Sequence, residues 1–318
     1  MTSEFDSNKK LISIVIPVYN EEVNVGRMYN ATTTIMNHLD AKYDYEIIFT
    51  DNHSTDKTFD ILSDLSQKDP KVKCLRLSRN FGYQKSILTG YLHAKGDVAI
   101  QIDCDLQDPP ELIPLFLEKW GDGFQVVYGI RKSRQEGWFI NCVRKIFYRM
   151  INLLSEDVLP KDAGDFRLID RKIIDVLKNS EDANPFLRGM IATIGFKQIG
   201  IPYDRNLRTK GKSKFKTKDL VGLALDGILN HSIIPLRLAT FVGLSVSMVT
   251  LILAIIYFMG KLIYGPTWSS GFATTTIFIL LSLSLNALFL GVIGEYIGRI
   301  YKQLKRRPVT IIEEKLNM

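Results

Sequence analysis

The residues best suited to chemistry directly follow an apolar run that ends in carboxylates. The stretch Val98–Glu111 reads VAIQIDCDLQDPPE, and its apolar first part is typical of a buried strand. Asp103 and Asp105 are two residues apart, so their side chains point the same way if the chain is extended there. With the amide oxygen of Gln107, they form a hard oxygen site that suits Mg²⁺ or Mn²⁺ carrying a diphosphate. The alternative is a strand followed by an acidic turn that binds no metal.

These side chains need a scaffold, and the first two thirds of the chain alternates strand-like and helix-like segments. Such alternation predicts right-handed βαβ units and a largely parallel sheet. We expect Pro17 to end the first strand and Ser54 to cap the second helix. The predicted strands are 11–16, 45–50, 72–77, 98–102 and 125–128, and the predicted helices are about 20–39, 54–65 and 81–94.

Polar clusters follow three of these strands. They are Pro17–Glu21, Asp51–Asn52 and Asp103–Asp105. Ligands of parallel α/β sheets bind beyond the carboxyl ends of the strands. We therefore expect the three clusters to converge on one rim of the sheet.

Composition limits the class of protein. The 318 residues are 46% hydrophobic and carry a net charge of +7, which suits one large domain and a smaller part. Cys74, Cys104 and Cys142 are odd in number and widely spaced, so they predict neither a zinc site nor a disulfide framework. A reducing compartment is the simpler interpretation. Residues 1–10 are polar and charged, so no secretory signal peptide is expected.

The last third of the chain contains long apolar segments. Residues 239–259 and 272–294 carry no charge, and about 20 apolar residues suffice to span a bilayer, so both segments predict transmembrane helices. Basic residues flank this pair on its outer sides, whereas the loop 260–271 has only Lys261. Both termini and the first two thirds of the chain are therefore expected in the cytoplasm. Residues 218–230 fit an amphipathic helix at the membrane interface.

The segment Arg205–Lys218 carries seven basic residues in fourteen and predicts a mobile loop. Two uses are plausible: it closes over a diphosphate, or it touches anionic lipid headgroups. Nucleic acid is a poor candidate partner, because aromatic interleaving and a known binding module are lacking.

Five blocks together resemble a known family. They read IVIPVYNEE, IIFTDNHSTD, LSRNFGYQKSILTGYLHAKGD, IDCDLQDPPELIP and GDFRLIDRK. Over roughly residues 11–315 the chain resembles the polyprenyl-phosphate glycosyltransferases of glycosyltransferase family 2, which include dolichol-phosphate mannose synthases and bacterial bactoprenol glucosyltransferases. The resemblance implies an α/β, GT-A-type, Rossmann-like nucleotide-sugar-binding domain with a mainly parallel sheet. The expected parts are a cytoplasmic catalytic domain (1–203), a basic loop with an amphipathic helix (204–234), two transmembrane helices (235–298) and a cytoplasmic tail (299–318).

The resemblance also implies roles for single residues in donor binding. Pro17, Tyr19 and Glu21 would line the nucleoside pocket, with Asp51 near the uracil or ribose. Asp103 would lie beside the ribose and the metal.

The metal-binding block keeps its oxygen ligands but departs from the family at neighbouring positions. The resemblance implies that Asp105 and Gln107 hold the metal on the diphosphate, together with Asp103. Asn52 and His53 stand where the family usually has Asp and then Gly or Asn, and Cys104 stands where it often has Ala. The loss of one carboxylate at Asn52 puts a nucleoside-binding role for that position in question.

For the acceptor, the resemblance implies that a phosphate is held by an Arg after the fifth strand and another on the following helix. Arg131 and Arg144 match best, and Lys145 is a further candidate. A solvated basic face near an anionic membrane is the alternative for Lys145.

An acidic segment near the reacting centre completes the implied site. Asp165 is the leading candidate for substrate orientation or for a base, with Asp157 and Asp162 left open. A buried capping Asp is the alternative.

Together with these features, the resemblance implies a metal-dependent, inverting glycosyltransferase that moves one hexose onto undecaprenyl phosphate at the cytoplasmic side of a bacterial inner membrane. UDP-glucose is the expected donor, ahead of GDP-mannose, UDP-galactose and amino-sugar donors. The alternatives are a processive polysaccharide synthase and a non-catalytic membrane scaffold. A separate flippase and a downstream glycosyltransferase are expected partners. Asn286, Gly291 and Gly294 are compatible with packing between the spans, and a homo-oligomer is left open.

Overall fold

The computed structural model describes residues 9–131, 163–180, 182, 185–206, 234–265 and 271–318. The described residues fall into two compact units. One contains residues 9–131, 163–206 with the gaps just given, and 306–318; the other contains 234–265 and 271–305. The C-terminal residues therefore belong to the same unit as the predicted site.

The first unit is an α/β domain with one eight-stranded sheet. Its strands are β1 (Lys10–Val18), β2 (Tyr43–Asp51), β3 (Val72–Leu77), β4 (Val98–Gln101), β5 (Val126–Arg131), β6 (Ala163–Asp170), β7 (Gln198–Tyr203) and β8 (Ile312–Leu316). Its helices are α1 (Val25–Asn37), α2 (Thr58–Lys68), α3 (Tyr83–His93), α4 (Ile113–Gly121), α5 (Arg171–Lys178) and α6 (Leu187–Thr193).

The strand order is β7-β5-β6-β4-β1-β2-β3-β8. The four central strands β4, β1, β2 and β3 run parallel, and β5 pairs parallel with β7. β6 runs antiparallel to β4 and β5, and β8 runs antiparallel to β3. The predicted fold class is confirmed as a mostly parallel, mixed sheet.

Both faces of the sheet are covered, as expected for parallel strands. Along β1, Ile14 and Ile16 pack into the core on one face, whereas Val15 packs into the core on the other. All three side chains are fully buried. This packing fixes the register of β1 between its neighbours and so fixes which residues emerge at the carboxyl rim.

Pro17 does not end the first strand, contrary to the prediction. β1 continues to Val18, and Pro17 lies opposite Thr50 of β2. The carbonyl of Val15 accepts a hydrogen bond from the Ile102 amide on the β4 side. The backbone of Pro17 faces β4, as that of Val15 does, but the pairing with β4 ends at Val15. The missing N–H of Pro17 therefore costs the sheet no hydrogen bond.

Ser54 is not the N-cap of the second helix, which begins four residues later at Thr58. Its hydroxyl instead accepts a hydrogen bond from the Asn20 amide, at 2.9 Å. The carboxylate of Asp56 accepts from the Thr58 amide, at 3.0 Å. The sequence between β2 and α2 therefore forms a loop that binds the loop after β1.

The second unit consists of two long apolar helices, α7 (Ile234–Tyr264) and α8 (Phe272–Leu304). Within them, Ala239–Tyr264 and Leu281–Leu304 are long and apolar enough to cross a membrane. The two predicted spans, 239–259 and 272–294, lie within α7 and α8, respectively. The predicted amphipathic helix at 218–230 lies outside the described residues.

Candidate active site

The carboxylate of Asp103 follows β4 and is held from two sides. Its Oδ1 accepts hydrogen bonds from the Tyr83 hydroxyl and from Gln101 Nε2, the latter at 3.0 Å. Burial raises the pKa of Asp103 above the ordinary Asp value, and the negative charge of Asp108 raises that pKa further. Asp165 and Asp105 act in the same direction, so the site gathers negative charge around Asp103.

Asp105 lies in a tight turn two residues further on. Its Oδ1 accepts a hydrogen bond from the Gln107 backbone amide at 3.1 Å, and Leu106 between them adopts a positive φ of 58°. The side-chain hydrogen bond to the backbone two residues on stabilises this turn. The turn keeps Asp105 beside Asp103, close enough for its charge to act on that group.

No group of three or more His, Cys, Asp or Glu side chains with metal-ligand geometry is found in the described part of the chain. This does not conflict with a magnesium site of the kind predicted. Mg²⁺ in such sites is commonly held by one or two carboxylates and by the phosphates of the substrate. Asp103 and Asp105 supply two carboxylates, and the crowding of negative charge around Asp103 is what a divalent cation would relieve.

Asp108 is the central member of a network that the sequence analysis missed. It is fully buried, and its Oδ1 accepts hydrogen bonds from the Tyr203 hydroxyl at 2.5 Å and from Arg205 Nε at 3.1 Å. Its Oδ2 lies 3.5 Å from Arg131 Nη2. Arg205 also reaches towards Asp103, with 3.9 Å between Nη2 and Oδ2. Asp108 thus holds two guanidinium groups near Asp103, a predicted metal ligand.

Arg131, the predicted acceptor-phosphate residue, lies at the end of β5. Besides Asp108 it contacts Tyr203, whose hydroxyl accepts from Arg131 Nε at 3.3 Å. The other predicted acceptor residues, Arg144 and Lys145, lie outside the described residues, as do the alternative acids Asp157 and Asp162.

Asp165 lies on β6 and is paired with an arginine that the sequence analysis did not identify. Its two carboxylate oxygens accept from Arg188 Nε at 2.8 Å and Nη2 at 2.5 Å. Burial acts to raise the pKa of Asp165, but the Arg188 charge and its hydrogen bonds outweigh burial and lower the pKa to about 2. A carboxylate with so low a pKa is a poor base, so the geometry favours orientation over proton transfer.

Asp51 ends β2 directly beside Val18 of β1, its partner in the sheet. It is fully buried, and its Oδ1 accepts from the Ser54 amide at 3.0 Å. Within the described chain its Oδ2 has no hydrogen-bond partner, and Arg76 Nε lies 3.9 Å away. A buried carboxylate oxygen in this state is an open acceptor site at the rim.

The first cluster is joined to the second by a backbone hydrogen bond, in which the Asn52 amide donates to the Val18 carbonyl at 2.9 Å. The amide of Glu21 donates to Thr58 Oγ1 at 2.8 Å, and the Glu21 carboxylate accepts from Asn24 Nδ2 at 2.6 Å. Tyr19, 36% exposed, follows Pro17 at the end of β1. The structure therefore brings Pro17, Tyr19 and Glu21 to the same rim as Asp51.

Asn52, which replaces a carboxylate of the family pattern, uses both ends of its amide. Its Nδ2 donates to Asn80 Oδ1, and its Oδ1 accepts from the Phe81 amide, both at 2.9 Å. Asn80 Oδ1 also accepts from the Gly82 amide at 2.9 Å. The departure therefore stabilises the turn that leads into α3 and to Tyr83.

The other two departures have plain structural consequences. Cys104 is buried in the core, and burial raises its pKa, which keeps the thiol protonated and unreactive. His53 adopts a positive φ of 63°, and its Nδ1 lies 3.0 Å from the Leu77 carbonyl.

Comparison with known proteins places this chain in a family. The family model described as glycosyl transferase family 2 matches residues 13–177. An uncharacterized glycosyltransferase of Bacillus subtilis, YkcC, is 40% identical over 95% of this chain and 93% of its own length. The bactoprenol glucosyl transferase of a Shigella flexneri prophage is 35% identical over 95% of this chain and 97% of its own.

Among solved structures, glucosyl-3-phosphoglycerate synthase of Mycobacterium tuberculosis aligns with 69% of this chain and 78% of its own, at 17% identity and a TM-score of 0.47. The sequence matches extend over both the sheet and the apolar helices. They confirm the enzyme class predicted from the motifs. The chain belongs to glycosyl transferase family 2.

Proposed function

We propose that this glycosyltransferase moves one hexose from a nucleotide diphosphate sugar to a polyprenyl phosphate. UDP-glucose is the proposed donor and undecaprenyl phosphate the proposed acceptor. The proposal rests on the convergence of three kinds of group on one rim. Asp51 offers a hydrogen-bond acceptor for the nucleoside, and Asp103 offers a carboxylate for the metal. The arginines bound to Asp108 offer positive charge for the phosphates. Relatives named bactoprenol glucosyl transferase, similar over nearly the whole chain, support the choice of acceptor.

The donor nucleoside would lie against Pro17, Tyr19, Glu21 and Asp51. Oδ2 of Asp51 has no hydrogen-bond partner among the residues that the structure describes. It suits a ring N–H such as that of uracil, since an N–H donor would satisfy a buried acceptor. Asp103 follows β4, which pairs with β1 on the side opposite β2, and it would face the ribose and the diphosphate.

The diphosphate would be held with Mg²⁺ or Mn²⁺ by Asp103, Asp105 and Gln107. When bound, a divalent cation neutralises the charge that develops on the departing nucleoside diphosphate. The two carboxylates and the amide oxygen are ligands that such a hard ion prefers. Tyr83 and Gln101 fix the orientation of the Asp103 carboxylate.

The acceptor phosphate would be bound by Arg131, with Arg144 and Lys145. A lipid phosphate is an anion near neutral pH and needs positioning more than deprotonation. Asp165 is consistent with this, because its ion pair with Arg188 makes it a weak base. The same ion pair holds the arginine in place. Arg205, between Asp103 and Asp108, is placed to contact either phosphate group.

The proposed step is an in-line displacement at the anomeric carbon. A phosphate oxygen of the lipid forms the new bond to that carbon as the bond to the β-phosphate oxygen of the donor breaks. The bonding electrons leave with the nucleoside diphosphate, and no net proton transfer is needed. One displacement inverts the anomeric centre, so an α-linked donor would give a β-linked polyprenyl-phosphate sugar.

The proposed location is the cytoplasmic face of the bacterial inner membrane. The sheet includes β7 before the two apolar helices and β8 after them. Two spans return the chain to the side on which it started, so this arrangement supports a catalytic domain and a C-terminus on one side. A soluble donor and a membrane-bound acceptor would meet there, and the lipid-linked sugar would be flipped by a separate protein before a downstream glycosyltransferase uses it.

A donor panel tests the proposal. Full-length protein in membranes is given radiolabelled UDP-glucose, UDP-galactose, GDP-mannose or an amino-sugar nucleotide, with undecaprenyl phosphate and either Mg²⁺, Mn²⁺ or EDTA. We expect label in the organic extract from UDP-glucose, lost with EDTA. No extractable label from any donor, with the protein folded and inserted, would contradict the proposed reaction.

A further inference from the structure

The last strand of the sheet comes from the far end of the chain, after the two apolar helices. In β8, Leu316 lies opposite Cys74 of β3 and Glu314 lies opposite Arg76. The Ser78 amide donates to the Ile311 carbonyl at 2.9 Å, and Asn317 Nδ2 donates to the Val72 carbonyl at 3.0 Å. The strand is thus secured to the domain at both of its ends.

Glu313 of this strand contacts two side chains beside Asp51. Its Oε2 lies 3.6 Å from Arg76 Nε and 3.4 Å from His53 Nδ1. Arg76 in turn lies 3.9 Å from Asp51 Oδ2, and its guanidinium carbon stands 4.1 Å from the centre of the Phe59 ring. Arg76 is therefore a cation shared between the buried carboxylate of Asp51 and the half-exposed carboxylate of Glu313.

We infer that Glu313 is a positioning residue of the donor site, which keeps Arg76 from closing onto Asp51 and so keeps Asp51 available to the nucleobase. The inference rests on the proposed function, because it assumes that Asp51 meets the nucleoside. Its basis is the shared geometry: neither Asp51 Oδ2 nor Arg76 Nε has a hydrogen-bond partner within the described residues, although both are buried. Such a pair would form a direct bond if nothing opposed it.

Glu313 lies on the strand that follows the two apolar helices. The donor site would be complete only when the segment after the second apolar helix has returned to the sheet. A nucleobase with a ring N–H, as in uracil or guanine, is the chemistry that a freed Asp51 carboxylate would select.

The test measures the affinity of the full-length protein in detergent for UDP and GDP, by calorimetry with Mg²⁺ present. Glu313→Gln removes the charge that competes for Arg76, and we expect about tenfold weaker binding of the preferred nucleotide. Glu313→Asp should recover part of the affinity. Glu314→Gln, the same change on the next residue of the strand, is the matched control and should leave the affinity unchanged.

A double-mutant cycle separates positioning from a structural role. If Glu313 acts through Arg76, then Glu313→Gln should have no further effect in an Arg76→Gln background. An equal loss in both backgrounds, or a changed KM for the lipid with unchanged nucleotide affinity, would overturn the inference. So would a Glu313→Gln protein that binds as wild type. If the wild-type protein binds neither nucleotide, the proposed function fails and this inference fails with it.

Discussion

Asp165 and Arg188 form a partly buried two-point ion pair, with 2.8 Å from Nε to Oδ1 and 2.5 Å from Nη2 to Oδ2. The pair joins β6 to α6 and lies next to Gln84, whose Nε2 is 3.5 Å from Asp165 Oδ1. Gln84 also accepts a hydrogen bond from the Leu187 amide, at 3.2 Å. The residue that the sequence singled out as a catalytic candidate is thus also a structural link between three elements.

Loss of Arg188 should therefore destabilise the domain. Arg188→Ala leaves the Asp165 carboxylate buried without its main partner, which should lower the free energy of unfolding by about 3 kcal/mol. Arg188→Lys keeps the charge but loses the two-point geometry, so its free energy of unfolding should lie between those of the wild type and Arg188→Ala. Chemical denaturation of the purified variants measures this. Wild-type stability in Arg188→Ala would show that the pair contributes nothing to folding.

The same pair predicts how stability depends on acid. The pKa of Asp165 is lowered to about 2 in the folded protein from an ordinary value of 3.8, so its contribution is present above pH 3.8 and is lost as the pH falls through about 2. The loss should amount to about 2 kcal/mol. Unfolding curves between pH 5 and pH 2 test this, since Asp165→Asn should flatten that part of the profile. An unchanged profile would contradict the pairing.

Asp105→Asn should abolish metal-dependent transfer and leave membrane insertion intact. The substitution removes one of the proposed anionic metal ligands, and transfer should fall by at least about a hundredfold. Asp122→Asn makes the same change at an exposed position after α4 and serves as the control. Full activity in Asp105→Asn would contradict the proposal that Asp105 binds the metal.

Arg131→Ala should chiefly weaken use of the acceptor. Removing a guanidinium that holds a phosphate should lower kcat/KM for the lipid by about ten- to a hundredfold, with donor binding unchanged. Arg131→Lys tests whether charge alone suffices, because a lysine at this position cannot hydrogen-bond Tyr203 and Asp108 at the same time. If donor affinity falls while acceptor saturation stays as in wild type, Arg131 does not bind the acceptor phosphate.

Asn52→Asp restores the carboxylate common in the family, yet it should destabilise this chain. A carboxylate cannot donate to Asn80 Oδ1, which is already the acceptor for the Gly82 amide. The expected cost is about 1 to 3 kcal/mol, read from thermal or chemical unfolding. Asn30→Asp, on the exposed side of α1, is the matched control. Equal stability of the two variants would mean that the Asn52 amide is dispensable.

The strands that build the rim were predictable because their signals are local. β3 has the predicted bounds, and β2 and β4 agree within two residues at either end, since each contains buried apolar residues and follows turn residues. The last three strands were not predicted. β7 contains Gly200 and Pro202, and β8 is the charged sequence IEEKL, so pairing with distant strands rather than propensity decides their structure.

Some residues of the candidate site could likewise be predicted from local sequence, and others could not. Asp51, Asp103 and Asp105 stand at strand ends, where sequence order alone indicates a shared rim. The roles of Asp108 and Arg188 depend on partners far along the chain, at Tyr203 and at Asp165. Nothing in the local sequence distinguishes these two residues from surface charges, although Asp108 stands within a block typical of the family.

The identity of the two products tests the central claim most directly. Full-length protein is incubated with undecaprenyl phosphate and the donor selected by the panel, and the lipid and the released nucleotide are identified by mass spectrometry. Hexose transfer predicts a lipid carrying one phosphate and one hexose, together with a nucleoside diphosphate. A lipid with two phosphates and a nucleoside monophosphate, or a sugar attached to no lipid at all, would contradict it.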